Sequence, residues 1–341
     1  MNTLKRRTLI LITTVLIFVL INGCSRSVPI SPVVDELVIG LSMDTLKEER
    51  WQKDRDIFVA EAQALGAKVL VQAANGSNER QMEQALKLMD QGIDVLVIIP
   101  HSSTFAEQIV NEAHNRGIPV IAYDRLVEGN VDYYISFDNY YVGVLQANYL
   151  TETLGIRRGN VVYIGGHEED HNALLYRQGV MEVLNLYPDI KVVYDAYSND
   201  WLPSEGQKHM EEALDKNRYI KAVICANDGL AGGAADAMAL QQRYFPLIGQ
   251  DAEIAACQRI VDDKQVMSVY KDIRLLAKEA ARLSIKVAND ETVPTNASVS
   301  NNTKEIPSTL LTPVSVDLDN MLDVIINSGF HSFRDVYRNA N

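Results

Sequence analysis

Short apolar runs and amphipathic helical segments alternate through nearly the whole of this chain, and that alternation leaves few folds open. Leu37-Val38-Ile39-Gly40-Leu41 is almost unbroken in its apolarity, as suits a strand buried on both faces. A helix over about 51–65 follows, then Val69-Leu70-Val71, a helix over 79–90, Val95-Leu96-Val97-Ile98-Ile99, a helix over 105–115, Pro119-Val120-Ile121-Ala122-Tyr123 and Tyr134-Ile135-Ser136-Phe137. After a long helix over 140–154 the pattern restarts, with strands at 161–164, 191–194, 222–224, 246–248 and 266–270 and a last helix over 275–288. Strands and helices joined by short links predict α/β lobes with doubly wound parallel sheets. Two such runs predict two lobes of ordinary domain size. The polar stretch 289–303 reads as turns.

The polar residues cluster where such a fold puts its ligand. Asp44, Asp124-Arg125, Asp138-Asn139, Asp170, Asp200-Trp201, Asn227-Asp228, Gln250-Asp251 and Tyr270-Lys271 all follow strand ends. In an open α/β sheet that edge forms the binding crevice. Carboxylates, amides, Arg and Lys offer the paired donors and acceptors that vicinal hydroxyls need. The two tryptophans, Trp51 and Trp201, also follow strand ends, where a flat ring stacks on a sugar face.

The N-terminal residues read as an address. Lys5, Arg6 and Arg7 precede an apolar run from Leu9 to Ile21, too short for a comfortable membrane span, so 1–23 is expected to be a signal peptide. Ile21-Asn22-Gly23-Cys24 resembles a lipobox, which makes Cys24 the expected lipidation site and 24–35 a lipid-anchored linker. The expected location is extracytoplasmic, on a cell membrane. Fully extended, the eleven or so residues after Cys24 reach only ~40 Å, so the lobes stay close to that surface. Cys225 and Cys257 remain; their pairing cannot be read from spacing.

Several functions are disfavoured. A net charge of −13 counts against nucleic acid as a partner. Leu41-Ser42-Met43-Asp44 lacks the glycines of a phosphate loop. His167 and His171 sit four apart with no third ligand at sensible spacing, so neither a metal nor any other cofactor is expected. Glu168, Glu169 and Asp170 read as a solvated acidic loop rather than a hydrolase's acid pair, so no catalytic residue is assigned. A sugar-responsive repressor would need a helix-turn-helix before the first strand, where this chain has its export signal. Asp138 and Asp228 read as helix caps or hinge residues.

At this point the blocks resemble a family. Glu49-Arg50-Trp51-Gln52-Lys53-Asp54-Arg55-Asp56 resembles the first loop and helix of bacterial periplasmic D-xylose-binding proteins. So do Asp94 to Pro100, Ala122-Tyr123-Asp124-Arg125, Tyr134 to Asn139, Asn227-Asp228 with Ala231-Gly232-Gly233-Ala234, Gly249 to Ala252, Val269-Tyr270-Lys271 and Leu310-Leu311-Thr312-Pro313. The resemblance runs from about Glu36 to His331. It implies a type I periplasmic binding protein fold: two lobes joined by three crossovers, here 36–138 plus about 272–312 and 139–271 plus about 313–341. It implies D-xylose or a related pentose as ligand, bound between the lobes and sandwiched by Trp51 and Trp201. The contacts it carries over are Arg50, Trp51, Asp124, Arg125, Asp170, Asn172, Trp201, Asn227, Asp251 and Lys271. Asp44 and Lys53 are supporting candidates, and His171 stands where the family has a small amide. The membrane partner it implies is an ABC permease or a sensor histidine kinase.

Overall fold

The computed structural model of the chain describes residues 36–338. The expected signal peptide, Cys24 and the linker to Asp35 lie outside the described residues.

The first lobe opens with β1 (Val38–Met43), α1 (Glu49–Ala64), β2 (Lys68–Ala73), α2 (Asn78–Asp90), β3 (Val95–Ile99), α3 (Glu107–Asn115), β4 (Val120–Tyr123) and β5 (Tyr133–Phe137). The chain then builds a second lobe from α4 (Asn139–Asn148), β6 (Gly159–His167), α5 (His171–Leu184), β7 (Ile190–Ser198) and α6 (Pro203–Lys216). The same lobe continues with β8 (Ile220–Cys225), α7 (Asp228–Leu240), β9 (Leu247–Gln250), α8 (Ile254–Val261) and β10 (Met267–Tyr270). It returns to the first lobe with α9 (Ile273–Ala288), β11 (Ala297–Ser300) and β12 (Glu305–Leu311), and crosses a third time to β13 (Val314–Val316). The sheets run β11-β12-β5-β4-β3-β1-β2 and β13-β10-β9-β8-β6-β7. Around its opening strand each lobe therefore repeats one order, second-first-third-fourth-fifth, plus a strand donated after a crossover.

The expected doubly wound architecture and its three crossovers are present. The sheets, however, are mixed rather than purely parallel: β11 runs antiparallel to β12, and β13 antiparallel to β10. The physical reason is connection length. β11 and β12 are joined by a tight link and can only form a hairpin, whereas parallel neighbours need a crossover. The helix expected over 140–154 is α up to Asn148 and continues as a π-helical turn over Tyr149–Thr153.

Local chemistry explains the elements. All of β3 is buried, which is why its sequence does not alternate. Ser77 caps α2 by accepting from the Arg80 N–H at 3.2 Å, and Asp138 caps α4 by accepting from Tyr141 at 2.9 Å. In the first lobe α1 and α9 cover the same sheet face, with Phe58, Ala62, Leu276 and Ala280 in one cluster with β1, β3 and β4 side chains. Fully burying an aliphatic or aromatic side chain of this kind contributes about 1.5–3 kcal/mol. In the second lobe α6 and α7 approach through Gly206 and Gly233, where a methyl group on Gly233 would overlap the Pro203 carbonyl. Cys225 and Cys257 are separate buried thiols.

Candidate functional site

The two lobes meet along the carboxyl ends of their strands, and the loops there close around a cavity. Arg50 and Trp51 come from the first turn of α1. Asp124 and Arg125 follow β4. From the second lobe come Asp170 and Asn172 at the start of α5, Trp201 between β7 and α6, Asn227 at the start of α7, and Asp251 after β9. Nine of the ten expected residues thus line one space, and the tenth, Lys271, stands directly behind it. Its ammonium is 3.2 Å from Asp251 Oδ1 and 3.1 Å from the Tyr176 hydroxyl. Lys271 follows β10 of the second sheet, at the point where the chain crosses back.

Asp124 and Asp251 occupy equivalent places in the repeated topology, each after the fourth strand of its lobe. Each has a positive φ, 62° and 98°, and each donates its backbone N–H to the next strand, to Ile135 O and Val269 O, both at 2.8 Å. The left-handed backbone turns the carboxylate out of the sheet edge and into the cleft; Asp tolerates this region better than most residues.

Ion pairs join the lobes across the cavity. Arg50 bonds Asp124 within its own lobe and lies 3.6 Å from Asp251 of the other. Arg125 Nε is 2.7 Å from Asp170, while its Nη1 is 2.6 Å from Asp44 behind it. Asn172 donates to Asp124 Oδ1 at 3.1 Å. Beneath Arg50, the fully buried Asp54 accepts from the Tyr123 hydroxyl and lies 3.5 Å from Arg50 Nε. Burial pushes the Asp54 carboxyl up to about 6 against the pull of Arg50. Burial works the same way on Asp124, but Arg50 and Lys271 outweigh it and hold that carboxyl below its usual range. Lys271 is pushed down, by burial and then by Arg50.

The aromatic surfaces are fixed too. The Arg50 and Arg125 guanidinium carbons stand 4.5 and 5.3 Å from the Trp51 ring centroid. Trp201 lies against the backbone of Gly166, where any side chain would collide with the indole, and meets Tyr176 edge-on at 6.3 Å.

Four cavity residues lie beyond the expected contacts: Glu48, Tyr176, Gln250 and Glu253. Tyr176 is one helical turn after Asn172, a spacing that could have found it. Gln250 adjoins Asp251 at the strand end. Burial raises the carboxyl of Glu48, and pushes that of Glu253 up to about 8 with Asp228 and Asp251 adding to it. Glu48 Oε2, Trp201 Nε1 and Gln250 Oε1 are buried with no hydrogen-bond partner. Buried polar atoms are almost always paired, so two acceptors and a donor left open around one cavity mark it as a place for hydroxyls.

The remaining candidates fall outside the cavity. Asp44 braces Arg125 and His101, the latter at 3.0 Å. Lys53 is at the surface, 2.6 Å from Glu49. Asp228 is not the cap: Asn227 caps α7, and Asp228 is a buried hub accepting from Ser268 Oγ at 2.6 Å, Gln265 at 2.8 Å and the Glu253 N–H at 3.1 Å. Asn227 takes the cap because its backbone is extended and Asp228 is already helical.

Residues 39–292 match the family model described as a periplasmic binding protein domain. The chain is 45% identical over 303 residues to the D-xylose-binding periplasmic protein of Escherichia coli, covering 87% of this chain and 91% of that one. It is 32% identical over 323 residues to the multiple sugar-binding periplasmic receptor ChvE of Rhizobium radiobacter, covering 87% and 91%. An ABC transporter solute binding protein from Clostridium phytofermentans, solved with bound beta-D-glucose, superposes with a TM-score of 0.82 at 28% identity, covering 88% of this chain and 99% of that one.

Proposed function

The chain belongs to the periplasmic binding protein domain family, and from that premise we propose that it binds D-xylose between its lobes and presents it to a membrane partner. The observation that carries this reading is the cavity itself, with charged pairs from both lobes and three buried polar atoms left unpaired. Sugar hydroxyls both donate and accept, so one polyol can serve Glu48, Gln250 and Trp201 together. Arg50, Asp124, Asp251, Arg125 and Asp170 supply charge-assisted bonds, and Trp51 and Trp201 supply the flat apolar faces.

Selectivity follows from the walls. A hexose adds a hydroxymethyl group that must be buried or clash against side chains already held by ion pairs. Closure follows from the division of contacts. Each lobe, 36–138 with 272–312 and 139–271 with 313–341, holds part of the bonding set, so the closed form alone satisfies the ligand. Sugar shifts the equilibrium only through that difference in contact.

The partner is an ABC permease or a sensor histidine kinase; a relative named as a receptor supports the second, a solute-binding structure the first. Cys24 anchors the protein to the membrane, which mass spectrometry of the mature N-terminus tests directly. Titration calorimetry with xylose, ribose, arabinose, glucose and galactose decides the ligand. Tighter binding of glucose than of xylose rejects the pentose reading, and no binding of any rejects the sugar reading.

A further inference from the structure

A second cavity of about 200 Å³ adjoins the first in the cleft, and the two share a wall made by Glu48, Arg125, Asp170 and Trp201. Half of that wall is immobile. Arg125 is held between Asp44 at 2.6 Å and Asp170 at 2.7 Å, a pair of buried charge-assisted bonds. Glu48 and Trp201 each keep a buried polar atom, Oε2 and Nε1, without a partner. A carboxylate acceptor and an indole donor left open in the same wall, beside two fixed charges, mark where a ligand group passes.

Beyond the wall the furnishing is again that of a polyol site. Asn199 and Asp200 reach it from the second lobe, Lys47 from the first. Lys47 Nζ lies 3.3 Å from Asp200 Oδ2 and ties the lobes at this cavity. His101 and His167 approach from opposite lobes with ring centroids 5.7 Å apart, which adds flat surface and ring nitrogens to the amide, carboxylate and ammonium. Like the first cavity, this one is complete only when the lobes are together.

We infer that this second cavity is a saccharide subsite, so that the protein takes a xylose-containing disaccharide with one ring in each cavity and the linkage passing between Glu48 and Trp201. The inference rests on the proposed reading of the first cavity as a sugar site. The linkage oxygen takes the place of the first ring's hydroxyl at Trp201 Nε1, a hydroxyl beside the linkage donates to Glu48 Oε2, and the outer hydroxyls of the second ring meet Asn199 and His167. Both of these are partly exposed and lie outside the monosaccharide cavity, so their removal leaves that cavity intact.

Calorimetric titration of the protein with D-xylose and with xylobiose tests this, on the unaltered chain and on His167→Ala and Asn199→Ala, with circular dichroism to verify folding. Xylobiose is expected to bind within about tenfold of xylose, and each variant to weaken xylobiose about fivefold or more while leaving xylose within about twofold. Xylose binding without xylobiose binding overturns the subsite. So does equal weakening of both sugars in the variants. Failure of the unaltered protein to bind either sugar overturns the monosaccharide reading first, and the subsite with it.

Discussion

Replacing Asp251 by alanine tests the electrostatics of the cleft before any ligand is added. Lys271 is fully enclosed, and Asp251 is its nearest anion, at 3.2 Å. Without that carboxylate the ammonium keeps the Tyr176 hydroxyl at 3.1 Å and the Phe137 and Tyr176 ring faces, at 5.8 and 5.5 Å. Arg50, which now stands 3.6 Å from Asp251, becomes a like charge facing Lys271 with less between them. Removing one partner of a buried pair costs about 3–5 kcal/mol, because the survivor is stranded. The retained hydroxyl argues for the lower end and the like charge for the upper, so about 4 kcal/mol is expected. Backbone strain adds to this. Residue 251 sits at φ 98°, and glycine adopts that region freely, so Asp251→Gly is expected to be about 1 kcal/mol less damaging than Asp251→Ala. Lys271→Met combined with Asp251→Ala removes both charges and restores at least half of the loss. Urea unfolding of the four proteins at pH 7, followed by far-ultraviolet circular dichroism, gives each value. A double variant no more stable than Asp251→Ala refutes the pairing; equal values for the Ala and Gly variants refute the strain.

Asp54→Asn keeps the shape beneath Arg50 but removes its charge, and is expected to weaken xylose binding about tenfold at pH 8. With the native carboxyl near 6, the deficit should vanish by pH 5, where both proteins carry a neutral group; a deficit unchanged at pH 5 rejects the role. Glu253 is raised from 4.5 to about 8, so the folded chain holds that proton more tightly than the unfolded chain does. Its stabilising contribution is complete below pH 4.5 and is lost as the pH rises through 8, so Glu253→Gln should match the parent near pH 4 and exceed it in melting temperature at pH 9. Gly233→Ala places a methyl group on the Pro203 carbonyl and the Gln207 N–H, which helix backbone cannot yield, and should cost more than about 3 kcal/mol in denaturant unfolding. Gly92→Ala, at φ 74° with open space around it, should cost only about 1 kcal/mol, and equal losses would contradict the packing argument.

The parts of the fold that announce themselves in the sequence are those buried on both faces. Val95–Ile99 reads as a strand because every position needs an apolar side chain. The hairpin β11–β12 lies at a sheet edge, where half the side chains meet water, so Ala297–Ser300 has the composition of a loop and sits inside a stretch read as turns. Likewise β12 contains Pro307, which faces Ser298 of β11 and stands just before the stretch, from Ser308 onward, that pairs with β5. In the cleft, residues directly after strands are legible because sheet topology alone delivers them to the crevice. Glu48 and Glu49 are the same residue side by side, and only the entry of the chain into α1 sends the first inward. Lys53, one turn beyond Glu49, shares the sequence block of Arg50 and Trp51 yet belongs to the solvated face.

The threefold crossing of the chain between lobes has a consequence for synthesis. A polypeptide emerges N-terminus first, from a ribosome or from a pore, and begins the first lobe at once. That lobe cannot be finished until α9 lays Leu276, Ala277, Ala280 and Ala281 over its sheet and β12 pairs with β5. Both arrive only after the entire run from α4 to β10. Until residue 311 is free, residues 38–137 present an uncovered apolar face and an open strand edge, the two features by which unfinished chains are held by chaperones or by one another. The order of the strands thus delays commitment to the folded state until nearly all of the chain is on the same side of whatever it is passing through.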